Sequence, residues 1–198
     1  MSETRINTEA EIHNLLARRW SPRAFDADQD VDENTLLSCL EAARWTPSCF
    51  GDEPWRFIVC KRSDNKAAWL QLLNCLAPKN QLWANHAPVL ILSCADSRFD
   101  HNDNDNRWGQ FDTGAATICL CLQATALGLV SHQMGGFDTE SAHQAFSIPE
   151  RYTPMSVIAI GYQGDYTTLD ESFQRGETSA RSRKNMQDIV FRQSWRAT

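Results

Sequence analysis

Several common functional signatures are missing from this chain of 198 residues. None of its seven cysteines forms a C-x-x-C pair, which argues against a zinc ribbon and a thioredoxin-like redox site. The five histidines have no spacing typical of metal ligands. The N-terminal stretch lacks the apolar segment of a secretory signal. A formal net charge of −6 argues against a nucleic-acid surface. We therefore expect a cytoplasmic protein with free thiols and no metal or nucleic-acid partner.

One long apolar stretch is present, from Thr113 to Val130. It is barely long enough to span a membrane, and it contains Gln123. A helix that is apolar on every side also occurs in the core of a large domain. Apolar residues make up 42% of the chain and charged residues 22%, which is typical of a globular protein. We therefore expect a buried helix and no membrane association.

Apolar periodicity predicts helices that alternate with short strands, which indicates an α+β or α/β layered domain. The predicted helices span residues 8–17, 32–45, 65–76, 113–130 and 139–146, and the predicted strands span 56–60, 89–94 and 157–161. Thr8 and Glu11 form a candidate capping box for the first helix. Residues 163–180 are polar and predicted to be irregular, and the more apolar tail after them suggests docking onto another subunit.

The first candidate site is a basic turn near the N-terminus. Arg18, Arg19 and Arg23 place three guanidinium groups within six residues, together with Ser21. Arginine presents a planar set of donors that suits phosphate. The alternative is a solvated basic turn that pairs with the nearby acids Asp26, Asp28 and Asp30.

Two further segments suit a planar ligand. The turn-rich loop Thr46–Trp55 offers hydroxyl and backbone donors, although it also fits an ordinary connection between a helix and a strand. The Gly135-Gly136 pair lets main chain approach a ligand closely, although it also fits a simple turn. His132 precedes this turn and either faces a ligand or packs in the core. The acidic loop 100–106 lacks the glycine and glutamate of an EF-hand and is read as a solvated loop.

Together these segments resemble the FMN-dependent nitroreductases along nearly the whole chain. The motifs, in family order, are R-x-S-x-R-x-F from Arg19, A-x-x-x-P-S from Ala43, P-W-x-F from Pro54, A-P-V from Ala87, A-L-G-L from Ala126, G-G-F-D from Gly135, I-x-I-G from Ile158, and the pair Arg181 and Arg183. The resemblance implies an α+β, three-layer α-β-α fold with a mixed, mostly antiparallel sheet in an intertwined homodimer. It also implies a single domain over residues 1–198, in which residues 163–198 form an arm that crosses to the partner.

The resemblance further implies which residues bind the flavin. Arg19, Ser21, Arg181 and Arg183 would hold the FMN phosphate, and Arg23 would lie near the pyrimidine side of the ring. The other residues expected at the cofactor are Trp20, Ser48, Cys49, Gly51, Asn80, Gln133, Met134, Gly135 and Gly136. Three positions depart from the common pattern, because Gly51, Glu53 and Cys49 stand where many relatives have Asn, Gln and Ser.

The implied activity is a ping-pong transfer of hydride from NADH or NADPH through FMN to a small electron acceptor such as a nitro compound or quinone. The flavin supplies the reactive atoms, so no catalytic side chain is expected. Two alternatives remain open. One is a specialised relative, such as a flavin reductase, a dehydrogenase or a dehalogenase. The other is a protein that binds flavin without turnover.

Overall fold

A computed structural model describes residues 6–195 of the chain. The helices are α1 (Asn14–Arg18), α2 (Glu33–Arg44), α3 (Lys66–Cys75), α4 (Pro78–Ala84), α5 (Gly109–Ala126), α6 (Thr139–Phe146) and α7 (Glu171–Thr178). The strands are β1 (Trp55–Lys61), β2 (Val89–Asp96), β3 (Val130–Met134) and β4 (Tyr152–Gly161). They form one sheet in the order β1-β2-β4-β3, and all three pairings are antiparallel.

The centre of the sheet is covered on both faces. Every residue of β2 is buried, as expected for its continuous apolar run. Because side chains alternate along a strand, Leu90 and Leu92 enter one core cluster, whereas Val89 and Ile91 enter the other. Each such side chain contributes about 1.5–3 kcal/mol to stability through burial. The sheet is therefore the middle layer of three, which confirms the predicted α+β architecture.

Helices from different parts of the chain form the two outer layers. The buried residues of α2 and α5 pack on the face of Val89 and Ile91. Those of α3, α4 and α6 pack on the opposite face. Within residues 6–195, no helix is long and apolar enough to cross a membrane. The apolar character of α5 is explained by its packing between α2 and the sheet.

The N-terminal segment is less helical than the sequence suggests. The first helix begins at Asn14 rather than Thr8, and the Nδ1 atom of His13 accepts the capping hydrogen bond from the Leu15 N–H. The Thr8–Glu11 capping box does not form. The preceding residues contact the C-terminal segment instead, because Glu9 Oε1 accepts a hydrogen bond of 2.8 Å from the Met186 N–H. Tertiary contacts thus override the local helix signal.

The long apolar stretch is divided between two elements. The helix α5 spans Gly109–Ala126, and the chain then turns at Gly128, whose φ of +84° is readily adopted by glycine. The remainder of the stretch begins the edge strand β3, which the sequence prediction missed. The sequence did not show the boundary between α5 and β3, because the apolar stretch runs across it and a buried helix and a buried strand have similar composition.

Two short helices were also missed. Pro78 occupies the first turn of α4, a position where its missing N–H costs nothing. The helix α7 lies in the segment predicted to be irregular, and Asp170 caps it by accepting from the Ser172 N–H. Its exposed face is almost entirely polar, so it left little apolar periodicity to detect. Residues 196–198 of the predicted arm lie outside the described residues.

Candidate functional site

The two ends of the chain meet at the basic turn. Arg19 Nη1 donates to Ser21 Oγ at 3.3 Å. From the C-terminal segment, Arg181 donates to the carbonyl oxygen of Arg19 at 2.6 Å and also to that of Ala17. The backbone of Arg181 pairs with that of Ile6 in an isolated parallel bridge. Residues separated by about 160 positions in sequence are thereby joined at one place, as the resemblance implies.

Electrostatic repulsion is concentrated at this turn. Burial lowers the pKa of Arg181, and the positive charges of Arg19 and Arg183 lower it further. The guanidinium groups therefore lie close enough to disfavour one another. A bound anion would relieve that repulsion and accept hydrogen bonds from Ser21 and the arginines.

The alternative reading of the turn, as a paired basic surface, is not what the structure shows. Asp30 pairs with Lys61 at 3.5 Å, and Asp26 Oδ1 accepts from the Asp28 N–H. In the part of the chain that the structure describes, no carboxylate lies within 4.0 Å of the Arg19 or Arg183 guanidinium. The positive charges of Arg19 and Arg183 are thus not offset by an acidic side chain among residues 6–195.

Arg18 does not belong to this cluster. Its Nη2 atom donates to the Thr125 carbonyl oxygen at 3.2 Å, near the C-terminal end of α5. A cation there interacts favourably with the helix dipole and the unpaired carbonyls. Trp20 is half-buried in the turn. Arg23 is held differently, with its guanidinium carbon 5.8 Å from the centre of the Phe173 ring.

The loop that contains Ser48 and Cys49 is fixed by one hydrogen bond within the loop and one to α5. Ser48 Oγ accepts from the Glu53 N–H at 3.0 Å, and the Cys49 N–H donates to Asp112 Oδ2 at 2.9 Å. Asp112 is buried in the first turn of α5 and was not identified from the sequence. Gly51 has a φ of +67°, a left-handed backbone conformation that glycine adopts without strain.

The glycine turn after β3 is joined to α4. The Gly136 carbonyl oxygen accepts from the Ala77 N–H at 2.9 Å and from Asn80 Nδ2 at 3.0 Å. The predicted residues Asn80 and Gly136 are therefore neighbours. A Cβ atom on Gly135 would meet nothing within 4 Å. The chain itself leaves the space beside Gly135 open, which suits the close approach of a ligand.

Of the two alternatives for His132, facing a ligand or packing in the core, the structure shows packing. Its ring lies 4.5 Å from that of Trp83, and its Nδ1 atom is 2.8 Å from the Pro22 carbonyl oxygen. Burial lowers the pKa of His132 to about 4, and the charges of Arg23 and Arg19 act in the same direction. The neutral ring therefore ties β3 to the basic turn. Its neighbour Gln133 donates to Cys121 Sγ at 3.4 Å, and Met134 is buried.

A large cavity at the surface does not coincide with the arginine cluster. It is an open groove of about 780 Å³ on the side of Phe50, Trp55 and His101, and Gly51 is its one lining residue from the predicted set. Shape alone does not select an anion, whereas guanidinium groups do. Within residues 6–195, no group of three or more His, Cys, Asp or Glu side chains is arranged to hold a metal ion.

Fold and site together define a three-layer α+β protein with a basic turn that joins the two ends of the chain. A model of the Nitroreductase family matches residues 16–162, and the chain belongs to that family. A Mycolicibacterium smegmatis protein named "Uncharacterized 15.4 kDa protein in ask 5'region" is 34% identical, with 71% of this chain and 97% of that protein covered. The "Putative NADH dehydrogenase/NAD(P)H nitroreductase" of Methanothermobacter thermautotrophicus is 31% identical, with 80% of each chain covered.

Solved structures agree with this assignment. A crystal structure described as "the oxidoreductase containing FMN" is 28% identical, covers all of both chains and superposes with a TM-score of 0.90. A Desulfovibrio desulfuricans protein in complex with FMN is 22% identical, with 96% of this chain and all of that chain covered at a TM-score of 0.72. The second likeness shows the fold. Family membership supports an oxidoreductase enzyme.

Proposed function

We propose that this protein is an FMN-dependent oxidoreductase that takes hydride from NADH or NADPH and reduces a nitro compound, quinone or similar small acceptor by a ping-pong mechanism. The observation that carries the proposal is the meeting of Arg19, Ser21, Arg181 and Arg183 at one place, where like charges disfavour one another. The donor set matches the chemistry of a phosphate monoester. The FMN-containing structural relative supports the choice of cofactor.

Among the other predicted residues, Asn80, Gly135, Gly136 and the pair Ser48 and Cys49 suit a planar ring beyond that phosphate, whereas Met134 is buried in the core. The open space at Gly135 would admit the ring against main chain, and the Asn80–Gly136 hydrogen bond would hold that main chain in place. Ser48 and Cys49 would line the ring from the loop fixed by Asp112. When bound, FMN supplies the hydride chemistry, whereas the chain supplies position and charge.

We further propose that the protein acts as a homodimer whose C-terminal arm reaches the partner. Phe111 and Ile118 lie two turns apart on one face of α5, and they are 70% and 38% exposed. In the arm, Ile189 and Trp195 are 56% and 82% exposed. A second copy of the chain would cover these apolar side chains. Light scattering should give twice the chain mass, and a stable monomer would contradict the dimer.

The cofactor proposal is tested by the absorption spectrum of the purified protein, supplemented with FMN if it is colourless. Bound flavin should bleach on anaerobic addition of NADH or NADPH and recover when a nitroaromatic compound or quinone is added. Failure to bind FMN would contradict the proposal. Binding without bleaching by either nicotinamide would instead support a flavin-binding protein without turnover.

A further inference from the structure

One face of α7 packs against Arg23. Phe173, Gly176 and Glu177 are spaced i, i+3 and i+4, so they project from the same side of the helix. The Arg23 guanidinium lies over the Phe173 ring, and Glu177 Oε1 accepts from the Arg23 N–H at 2.8 Å. A Cβ atom on Gly176 would stand 3.2 Å from Arg23 Nη1, closer than ordinary contact. Gly176 thereby leaves room for the guanidinium.

The carboxylate of Glu177 is buried, which is unfavourable for a charged group. Its side chain is 5% exposed, and Oε2 reaches the Ala24 N–H at 3.5 Å. Burial raises its pKa, although the two backbone donors and the charge of Arg23 oppose that shift. Among residues 6–195, no cationic side-chain atom lies within 4.0 Å of the Glu177 carboxylate. Burying a carboxylate without a close ion pair costs stability, so a role in positioning accounts for its presence.

We propose that this face of α7, which we term the Arg23 cradle and which consists of Phe173, Gly176 and Glu177, positions Arg23 toward the bound cofactor and so sets its affinity and reduction potential. The second half of this inference rests on the proposed function. Glu177 fixes the backbone at Arg23, Phe173 supports the guanidinium through a cation–π contact, and Gly176 admits it. None of the three was identified from the sequence.

The first test replaces Glu177 by Gln in the FMN-loaded protein. Gln retains one acceptor but presents an NH2 group to a second backbone donor, so the turn should shift. We expect FMN to bind several-fold more weakly and its midpoint potential to become more negative, since a displaced cation stabilises the reduced cofactor less. Glu171→Gln is the matched control, because it makes the same change at an exposed position of α7. Unchanged affinity and potential, or tighter binding from the loss of a negative charge, would overturn the cradle.

The second test separates positioning from general damage. Gly176→Ala should raise or maintain the melting temperature, because Ala favours a helix over Gly. Its added methyl group should nevertheless push the Arg23 guanidinium aside and weaken FMN binding. Weaker FMN binding together with a melting temperature that does not fall supports the cradle. A variant with unaltered FMN affinity contradicts it, as does a loss of affinity in proportion to a lowered melting temperature.

A cofactor-free measurement distinguishes failure of the cradle from failure of the proposed function. In flavin-free, ¹⁵N-labelled protein, the Hε proton of Arg23 should carry an upfield ring-current shift from Phe173. Phe173→Leu keeps an apolar side chain but should move this signal downfield. If wild type binds no FMN, the proposed function fails, and the NMR result still decides whether the cradle exists. An Arg23 signal unaffected by Phe173→Leu would overturn the cradle even in a flavoprotein.

Discussion

The centre of the sheet and the joined chain ends are built on different principles. In β2 and β4, antiparallel hydrogen-bond ladders carry apolar side chains into two buried clusters. Residues 17–25 and 171–183 are joined instead by polar contacts, including Glu177 to the Arg23 N–H and Arg181 to the Arg19 carbonyl. The first region gains stability from burial, whereas the second holds several like charges together. Stability and ligand chemistry are therefore largely separated in this molecule.

The largest effect should follow from damage to the sheet. Leu92 is fully buried in β2, so Leu92→Ala removes buried surface and leaves a cavity. We expect a loss of about 2–5 kcal/mol in the free energy of unfolding, measured by urea denaturation. At a temperature where the variant remains folded, FMN affinity should change little. Leu82→Ala is the control, because Leu82 is 60% exposed, and an equal loss there would contradict the burial argument.

A slightly smaller effect concerns pH, because His132 links the two regions. Its pKa is about 4 in the folded chain, against an ordinary value of 6.5. As the pH falls, the unfolded chain takes up this proton first, so stability is lost between about pH 6.5 and pH 4 and is fully present above that window. The loss should reach about 3 kcal/mol at most. Urea midpoints measured across this range test it.

A variant tests the pH argument directly. His132→Gln should remove this part of the pH dependence. An identical slope in wild type and His132→Gln would show that His132 does not cause the acid sensitivity.

Sequence reasoning succeeded where one physical signal dominates. A continuous apolar run identified β2, and α6 was predicted at its observed bounds, Thr139–Phe146. It failed where local and tertiary signals compete. The edge strand β3 merged with the apolar helix before it, and α7 has too few apolar residues to show a period. The N-terminal segment forms contacts with the C-terminal segment that no local pattern encodes.

The candidate site shows the same division. The resemblance implied the arginines, Asn80 and Gly136 as flavin-binding residues, and the structure brings Arg181 to Arg19 and Asn80 to Gly136. Asp112 and Glu177 were missed, since each acts by accepting a backbone N–H from a distant loop. A single sequence does not distinguish a buried acidic residue of a helix from an exposed one. Only the fold shows which backbone N–H groups donate to its carboxylate.

A change in the chain-end region should affect binding rather than folding. Arg19→Ala removes a charge-assisted phosphate contact worth about 1.5–3 kcal/mol, so FMN should bind at least about tenfold more weakly. Arg18→Ala is the matched control, because Arg18 donates to the Thr125 carbonyl at the end of α5. Titration of apoprotein with FMN measures both variants. Equal affinities in Arg19→Ala and Arg18→Ala would show that the anion site lies elsewhere.

The smallest expected effect is on thiol reactivity, which is measured in the folded protein without unfolding either region. Burial raises the pKa of Cys39, Cys60 and Cys94 to about 11, and Cys75 and Cys121 are also buried. A thiol-specific reagent at neutral pH should therefore label at most two of the seven cysteines quickly, Cys49 and Cys119. FMN should slow the labelling of Cys49, and the variant Cys49→Ser should lose that protected thiol. More than two fast thiols would mean that the core opens readily. Protection confined to Cys119 would place the cofactor away from the Ser48–Cys49 loop.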